Sequence, residues 1–233
     1  MMYSSIRLVA FDCDGVMFDT RQANSDYYNT ILNHFGLPPM TEAQFAFVHM
    51  HTVDRSLAFL FEQRPDLLDA VNAFRGQMGY APFIRAMIIE PHLKDLLVWL
   101  KPRCKTAVAT NRADSMNRVL AFHQLQGAFD AVVCARDVAR PKPHPDLLLA
   151  AMDRLGALPS QTVYIGDSPL DMLAAKAAAI RFIAYQNQEL EADAHIRSLK
   201  EVQALLTTVI PAQGAGGSAK RDDPGASTSC CKS

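Results

Sequence analysis

One short apolar run, LVAF at 8–11, is cut off from every other strand-like run in the chain. The next such run is KTAVAT at 105–110, and the residues between carry the spacing of helices. A lone strand has two faces to bury and backbone groups to pair, so it needs neighbours. The run at 7–11 must therefore join a sheet made by the far part of the sequence. That demand makes the stretch between them an insertion into an α/β domain.

The inserted stretch reads as helices over 21–36, 42–49, 54–63 and 66–86. Tyr27, Ile31, Leu32 and Phe35 recur at helical spacing, as do Leu57, Leu60 and Phe61, then Leu67, Leu68, Val71 and Phe74. The breaks fall at GLPP, 36–39, and at Pro65. Phe45, Phe47, Phe59 and Phe61 suit the core of a small bundle.

From Pro91 the pattern alternates. A helix in PHLKDLLVWLK starts with proline in its first turn. Strands are expected at 105–110, 131–134, 162–166 and 180–185, and helices around 113–125, 145–156, 169–179 and 198–208. Such alternation predicts a Rossmann-like parallel sheet flanked by helices. The expected organisation is an α/β core from 1–19 and 89–210, a helical cap from 20–88, and a disordered Gly-, Ala- and Ser-rich tail, 211–233.

A net charge of -1, with both signs mixed along the chain, gives no electrostatic pull toward nucleic acid or an anionic membrane. No apolar run is long enough to span a bilayer, and the N-terminus lacks the layout of a secretory signal. Cysteines 13, 104, 134, 230 and 231 form no CxxC pair, which reads as free thiols in a cytoplasmic protein. The final CCKS puts Lys232 where a prenylation box wants an aliphatic residue.

The strand at 7–11 ends in Asp12-Cys13-Asp14-Gly15. Two acids brought together are costly unless a cation or a proton relieves them. The pair is thus either a solvated turn, which Asp and Gly both suit, or a metal and catalytic site. In an open parallel sheet, ligands sit outside the carboxyl ends of the strands. The other strands end in Thr110-Asn111 and in Gly166-Asp167-Ser168, with Asp171 close behind, and Lys142 stands between Pro141 and Pro143. Carboxylates, a hydroxyl, an amide and a lysine suit phosphoryl transfer. The acids would hold Mg²⁺, while Thr110 and Lys142 would bind phosphoryl oxygens. Asp12 and Asp14, two apart in extended chain, can flank one reacting centre, one attacking and the other handling the proton.

These segments resemble the four motifs of the haloacid dehalogenase-like (HAD) superfamily. DCDGVMFDT is similar to its DxDGx motif, VATN to a strand ending in Thr or Ser, KPHPD to a KPxPD motif, and IGDSPLDM to GDxxxD. A helical insertion directly after the first motif resembles the type 1 cap, and phosphoglycolate phosphatase-like members look nearest. The resemblance implies Asp12 as nucleophile and Asp14 as acid, then base. Mg²⁺ would be held by Asp12, the Asp14 backbone carbonyl and Asp167, with Asp171 in support. Thr110 and Asn111 would bind the phosphoryl group and Lys142 would steady its charge. The dehalogenases lack the second aspartate, and the similar phosphonate hydrolases carry a cap lysine. Asp14 is present here and 20–88 holds no lysine.

The resemblance implies a Mg²⁺-dependent phosphatase for a small phosphorylated metabolite, a monomer or homodimer. The alternatives are a phosphosugar mutase of the same fold and a non-catalytic HAD-fold binding protein. Arg55, in the middle of the cap, is a candidate contact for an anion on the substrate. His49 and His51 suit the cap surface better than a metal, since histidines two apart share a helix face poorly. His144 is expected to be exposed. Ala179, where many relatives have glycine, is expected to matter for packing alone.

Overall fold

The computed structural model describes residues 6–207, so the tail and the last two cysteines lie outside the described residues. In chain order the elements are β1 (Leu8–Phe11), β2 (Phe18–Asp19), α1 (Arg21–His34), α2 (Glu42–Met50), α3 (Val53–Leu60) and α4 (Leu68–Met78). Then come β3 (Ile88–Ile89), α5 (Leu93–Leu100), β4 (Lys105–Thr110), α6 (Met116–Phe122), β5 (Ala131–Cys134) and α7 (Asp146–Leu155). The chain continues with β6 (Thr162–Gly166), α8 (Pro169–Ala177), β7 (Arg181–Tyr185), β8 (Ala194–Ile196) and α9 (Lys200–Thr207).

Six strands form one parallel sheet in the order β5-β4-β1-β6-β7-β8. The strand isolated in sequence is central in space: Leu8 pairs with Lys105 on one side and Thr162 on the other. Alternation divides its side chains between two apolar cores. Val9 and Phe11 join Val108, Ile165 and residues of α5, α6 and α9. Leu8 and Ala10 join Ala107, Tyr164 and residues of α7 and α8. The helices therefore cover both faces, as a parallel sheet requires. The expected α/β architecture with an inserted helical cap is the one the chain forms.

Helices α1 to α4 enclose a separate apolar core around Tyr28, Ile31, Leu57, Phe61 and Val71. Phe61 is buried there, and Phe47 and Phe59 pack against it. Thr41 starts α2 with a reciprocal hydrogen-bonded cap to Gln44, and Thr52 caps α3. Tyr80 and Phe83 touch both this core and the one under the sheet, which couples cap to base.

Several local expectations change. The helix expected over 66–86 ends at Met78, because Gly79 turns the chain at φ +63° and a short 3₁₀ stretch, Ala81–Ala86, with Pro82 follows. Pro91 precedes its helix instead of opening it, and the Glu90 carboxylate takes the His92 N–H at 2.6 Å. Strands β2 and β3, unforeseen, pair antiparallel where the chain leaves and re-enters the core. Strand β8 was also unforeseen. Ala179 has φ +53° with an exposed side chain, so its departure from glycine bears on backbone conformation and not on packing. Among the described residues, no helix is long and apolar enough to cross a membrane.

Candidate active site

Strand β1 carries Asp12 to the carboxyl end of the sheet, where its N–H still bonds the Ile165 carbonyl at 2.9 Å. Lys142 meets it from the loop before α7. Its Nζ donates to Asp12 Oδ1 at 2.7 Å, to Asp171 Oδ1 at 2.7 Å and to the Tyr164 hydroxyl at 3.0 Å. All four groups are buried, so the ammonium is both desolvated and fully paired. Burial alone would lower the Lys142 pKa, but Asp12 and Asp171 hold it above its ordinary value. Asp171 also takes the Ser168 N–H at 3.0 Å and the Ser168 hydroxyl, closing the first turn of α8. Burial pushes its pKa up, yet Lys142, Ser168 and Tyr164 together bring it below the usual carboxylate range.

Gly15 turns the chain after the acids at φ +82°. A Cβ there would fall 2.0 Å from Asp167 Oδ2, so only glycine lets the two segments approach. Gly166 is equally confined, with a Cβ that would lie 2.4 Å from that of Asp171. The result is a cluster in which Asp12, Asp167 and Asp171 each offer an oxygen within 4.8 Å of the others. Burial and the neighbouring acids drive Asp167 well above its ordinary pKa; burial, against the pull of Lys142, raises Asp12 to about 7. One lysine does not answer this crowd of carboxylates. An all-oxygen set with unanswered negative charge fits a hard divalent cation such as Mg²⁺.

The Asp14 side chain lies outside that trio. Arg112 grips it with a fork, Nε to Oδ2 and Nη2 to Oδ1, both at 2.7 Å. The pair is buried, with side chains 7% and 12% exposed. Burial pushes the Asp14 pKa up, but Arg112 outweighs it and the carboxyl falls to about 2. Arg112 also reaches the Ser115 hydroxyl at 3.0 Å and the Tyr80 hydroxyl at 3.1 Å. The Tyr80 hydroxyl in turn donates to Asn24 Oδ1 at 2.7 Å, and the Asn24 amide donates to Asp14 Oδ1 at 3.3 Å. Arg112 of the core thus holds Asp14 directly, within a network that also takes in Asn24 and Tyr80 at the two edges of the cap.

Thr110 ends β4 with its buried hydroxyl accepting the Arg112 N–H at 3.1 Å, and it lines the cavity. Asn111, expected on the phosphoryl group, has another employment here. Its Nδ2 donates to the carbonyls of Met50, at 3.0 Å, and Lys142, at 3.2 Å, while its Oδ1 takes the Lys142 N–H at 2.9 Å. These bonds use both amide protons. Asn111 thus fastens the Lys142 loop and ties the cap helix α2 to the sheet.

Asp12, Asp14, Thr110, Asn111, Lys142 and Asp167 line one cavity of about 80 Å³ under the cap. Arg55 is not among its walls: it is exposed, with its guanidinium 5.8 Å from the Phe47 ring. The cap arginine that lines the cavity is Arg75, on α4. His49 and His51, expected on the cap surface, are half-buried and line it too. His51 stacks on Phe47 and hydrogen-bonds the Phe47 carbonyl at 2.8 Å. His144 is exposed.

Arg112, Tyr164, Asn24, Tyr80 and Arg75 escaped the sequence reading. Arg112 carried a signal, since it directly follows the strand end at Thr110-Asn111. Tyr164 carried a weaker one, an oversized polar residue inside an apolar strand.

A family model described as haloacid dehalogenase-like hydrolase matches residues 9–185. The chain is 30% identical over 184 residues to a fructose-1-phosphate phosphatase of Escherichia coli, covering 77% of this chain and 96% of that protein. It is 28% identical over 193 residues to a phosphoglycolate phosphatase of Xanthomonas campestris, covering 76% of this chain and 82% of that protein. A solved HAD-superfamily hydrolase, subfamily IA, variant 1, from Geobacter sulfurreducens matches with a TM-score of 0.76 at 32% identity. It covers 87% of this chain and 100% of that one.

Proposed function

The chain belongs to the haloacid dehalogenase-like hydrolases, with phosphatases among its homologues, and from that premise we propose a Mg²⁺-dependent phosphatase acting on a small phosphate monoester. The observation that carries the reading is Lys142 Nζ bonded at once to Asp12 and Asp171, in a cavity that also holds Asp14, Thr110 and Asp167.

Lys142 holds Oδ1 of Asp12, which leaves Oδ2 for attack on phosphorus. A P–O bond forms to Asp12 as the bond to the leaving alcohol breaks, giving an aspartyl-phosphate. Asp14 supplies the proton that the leaving oxygen takes. Water then attacks the same phosphorus; Asp14 receives its proton, and the P–O bond to Asp12 breaks to release phosphate. Thr110 binds a phosphoryl oxygen, and Lys142, whose three N–H groups go to Asp12, Asp171 and Tyr164, steadies the charge build-up from beside Asp12. Asp12 and Asp167, with the Asp14 carbonyl, would hold Mg²⁺, which supplies the charge neutralisation that lets a phosphate dianion approach these acids. Asp171 acts from behind, fixing Lys142 and the Ser168 turn.

The small cavity suits a compact phosphorylated metabolite. The test is phosphate release from sugar phosphates, phosphoglycolate, nucleotides and pyrophosphate, with and without Mg²⁺, beside Asp12→Asn. The expected result is release that needs Mg²⁺ and vanishes in the variant. Silence across the panel from folded protein would overturn the reading.

A further inference from the structure

The two walls of the cavity differ in how their polar atoms are satisfied. On the sheet side, Lys142 is answered by Asp12 and Asp171, and Arg112 by Asp14. The cap side has buried nitrogens with no hydrogen-bond partner: Nε of Arg75 and Nδ1 of His49. Both residues line the cavity that holds Asp12. Arg75 has one acid within reach, Asp54, at 3.6 Å, and that carboxylate is 78% exposed. So exposed a partner neutralises little. Among the described residues, Arg75 is thus the cationic side chain of this cavity without a buried counter-ion. Buried polar atoms in native proteins are almost always paired, and an arginine fork is shaped for a carboxylate or a phosphate.

We propose that Arg75 and His49 bind a second anionic group, on the leaving part of the substrate, and so select phosphate monoesters whose alcohol carries a carboxylate. This rests on the phosphatase reading above and adds the class of leaving group. The phosphoryl end belongs to Asp12, Thr110 and Lys142, so a second anion has the cap wall left to it. About 80 Å³ is room for roughly five to eight waters at about 10–15 Å³ each. A short chain ending in a carboxylate fits that room. A second phosphate shares the anionic chemistry and is the other source to separate.

The experiment compares three probes with one reaction: phosphoglycolate, 2-hydroxyethyl phosphate as its neutral counterpart, and ethanediol bisphosphate. The readout is the ratio of kcat/KM for each anionic probe to that for the neutral one. We expect the carboxylate ratio to exceed the bisphosphate ratio in the natural protein. In Arg75→Met it should fall by roughly 10- to 100-fold, as expected for loss of a charged hydrogen bond. Most of the fall should lie in KM, and Arg75→Lys should recover part of it. His49→Asn should lower the same ratio by a smaller factor. A bisphosphate ratio above the carboxylate ratio would overturn the carboxylate assignment. A natural ratio near one, equal loss on all probes in Arg75→Met, or a ratio that follows Arg55→Met would overturn the proposal. Those failures leave phosphatase activity in place. Absence of turnover on every monoester would instead remove the phosphatase reading, and this proposal with it.

Discussion

Arg112 holds Asp14 by both carboxylate oxygens at 2.7 Å, across 98 residues of sequence. The fork keeps Asp14 ionised, the form that takes a proton from water. Under the proposed mechanism, giving a proton to a leaving alcohol needs the other form, which calls for Arg112 to release one arm in the substrate complex. Removing Arg112 alone strands a buried carboxylate. Arg112→Met should therefore cost about 3–5 kcal/mol of stability. Adding Asp14→Asn should restore much of it. Urea unfolding of the two single variants and the double would check this. Losses that simply add would show that the two side chains are not coupled.

Beryllium fluoride with Mg²⁺ imitates a phosphoryl group on a carboxylate, so it should stabilise a site built around Asp12, Asp167 and Lys142. At a hundred times its Kd, a ligand that binds only the folded chain adds about 2.7 kcal/mol. Thermal unfolding should shift upward with both components and very little with either alone. Chelation of Mg²⁺ should reverse the shift, and Asp12→Asn should abolish it. A shift of the same size in Asp12→Asn would place the anion elsewhere.

The sheet and the carboxyl-end groups were legible because both obey local rules. Apolar runs such as LVAF and TVYIG declare buried strands, and Asp12, Thr110 and Asp167 stand directly at their ends. Arg112 was hidden because its partner is fixed only once β1 and β4 lie side by side. Position in the cap sequence points to Arg55, whereas the fold of α3 and α4 decides which arginine meets the cavity. Strands β2 and β3 span two residues each, too few to show a period. The Asn111 amide looked free for phosphate, since nothing local told of its bonds to Met50 and Lys142.

Ala179 offers a separate check on the backbone. It sits at φ +53° between α8 and β7, exposed to solvent. A left-handed conformation costs a residue with a Cβ about 1–2 kcal/mol, and glycine escapes that cost while losing more freedom on folding. Ala179→Gly should therefore gain roughly 0.5–1 kcal/mol net, with activity unchanged. Unfolding by urea would read the gain as a higher midpoint at constant slope. A lower midpoint would mean that the entropy of the unfolded chain outweighs the relief.

Gly15 gives the sharpest link between backbone and metal. Its φ of +82° and the 2.0 Å approach of a hypothetical Cβ to Asp167 Oδ2 are two independent reasons why no side chain fits. Gly15→Ala must move Asp167, the turn, or both. Asp167 closes the carboxylate trio with Asp12 and Asp171, so displacement should weaken Mg²⁺ more than it weakens the fold. Loss of a supporting or ligating group typically costs 10- to 100-fold in metal affinity. The Mg²⁺ concentration for half-maximal phosphate release should rise by about that factor, and Asp167→Asn should raise it at least as far. If Gly15→Ala instead lowers turnover at saturating Mg²⁺ with the half-maximal concentration unmoved, the glycine serves the path of Asp12 and Asp14 and not the placing of Asp167.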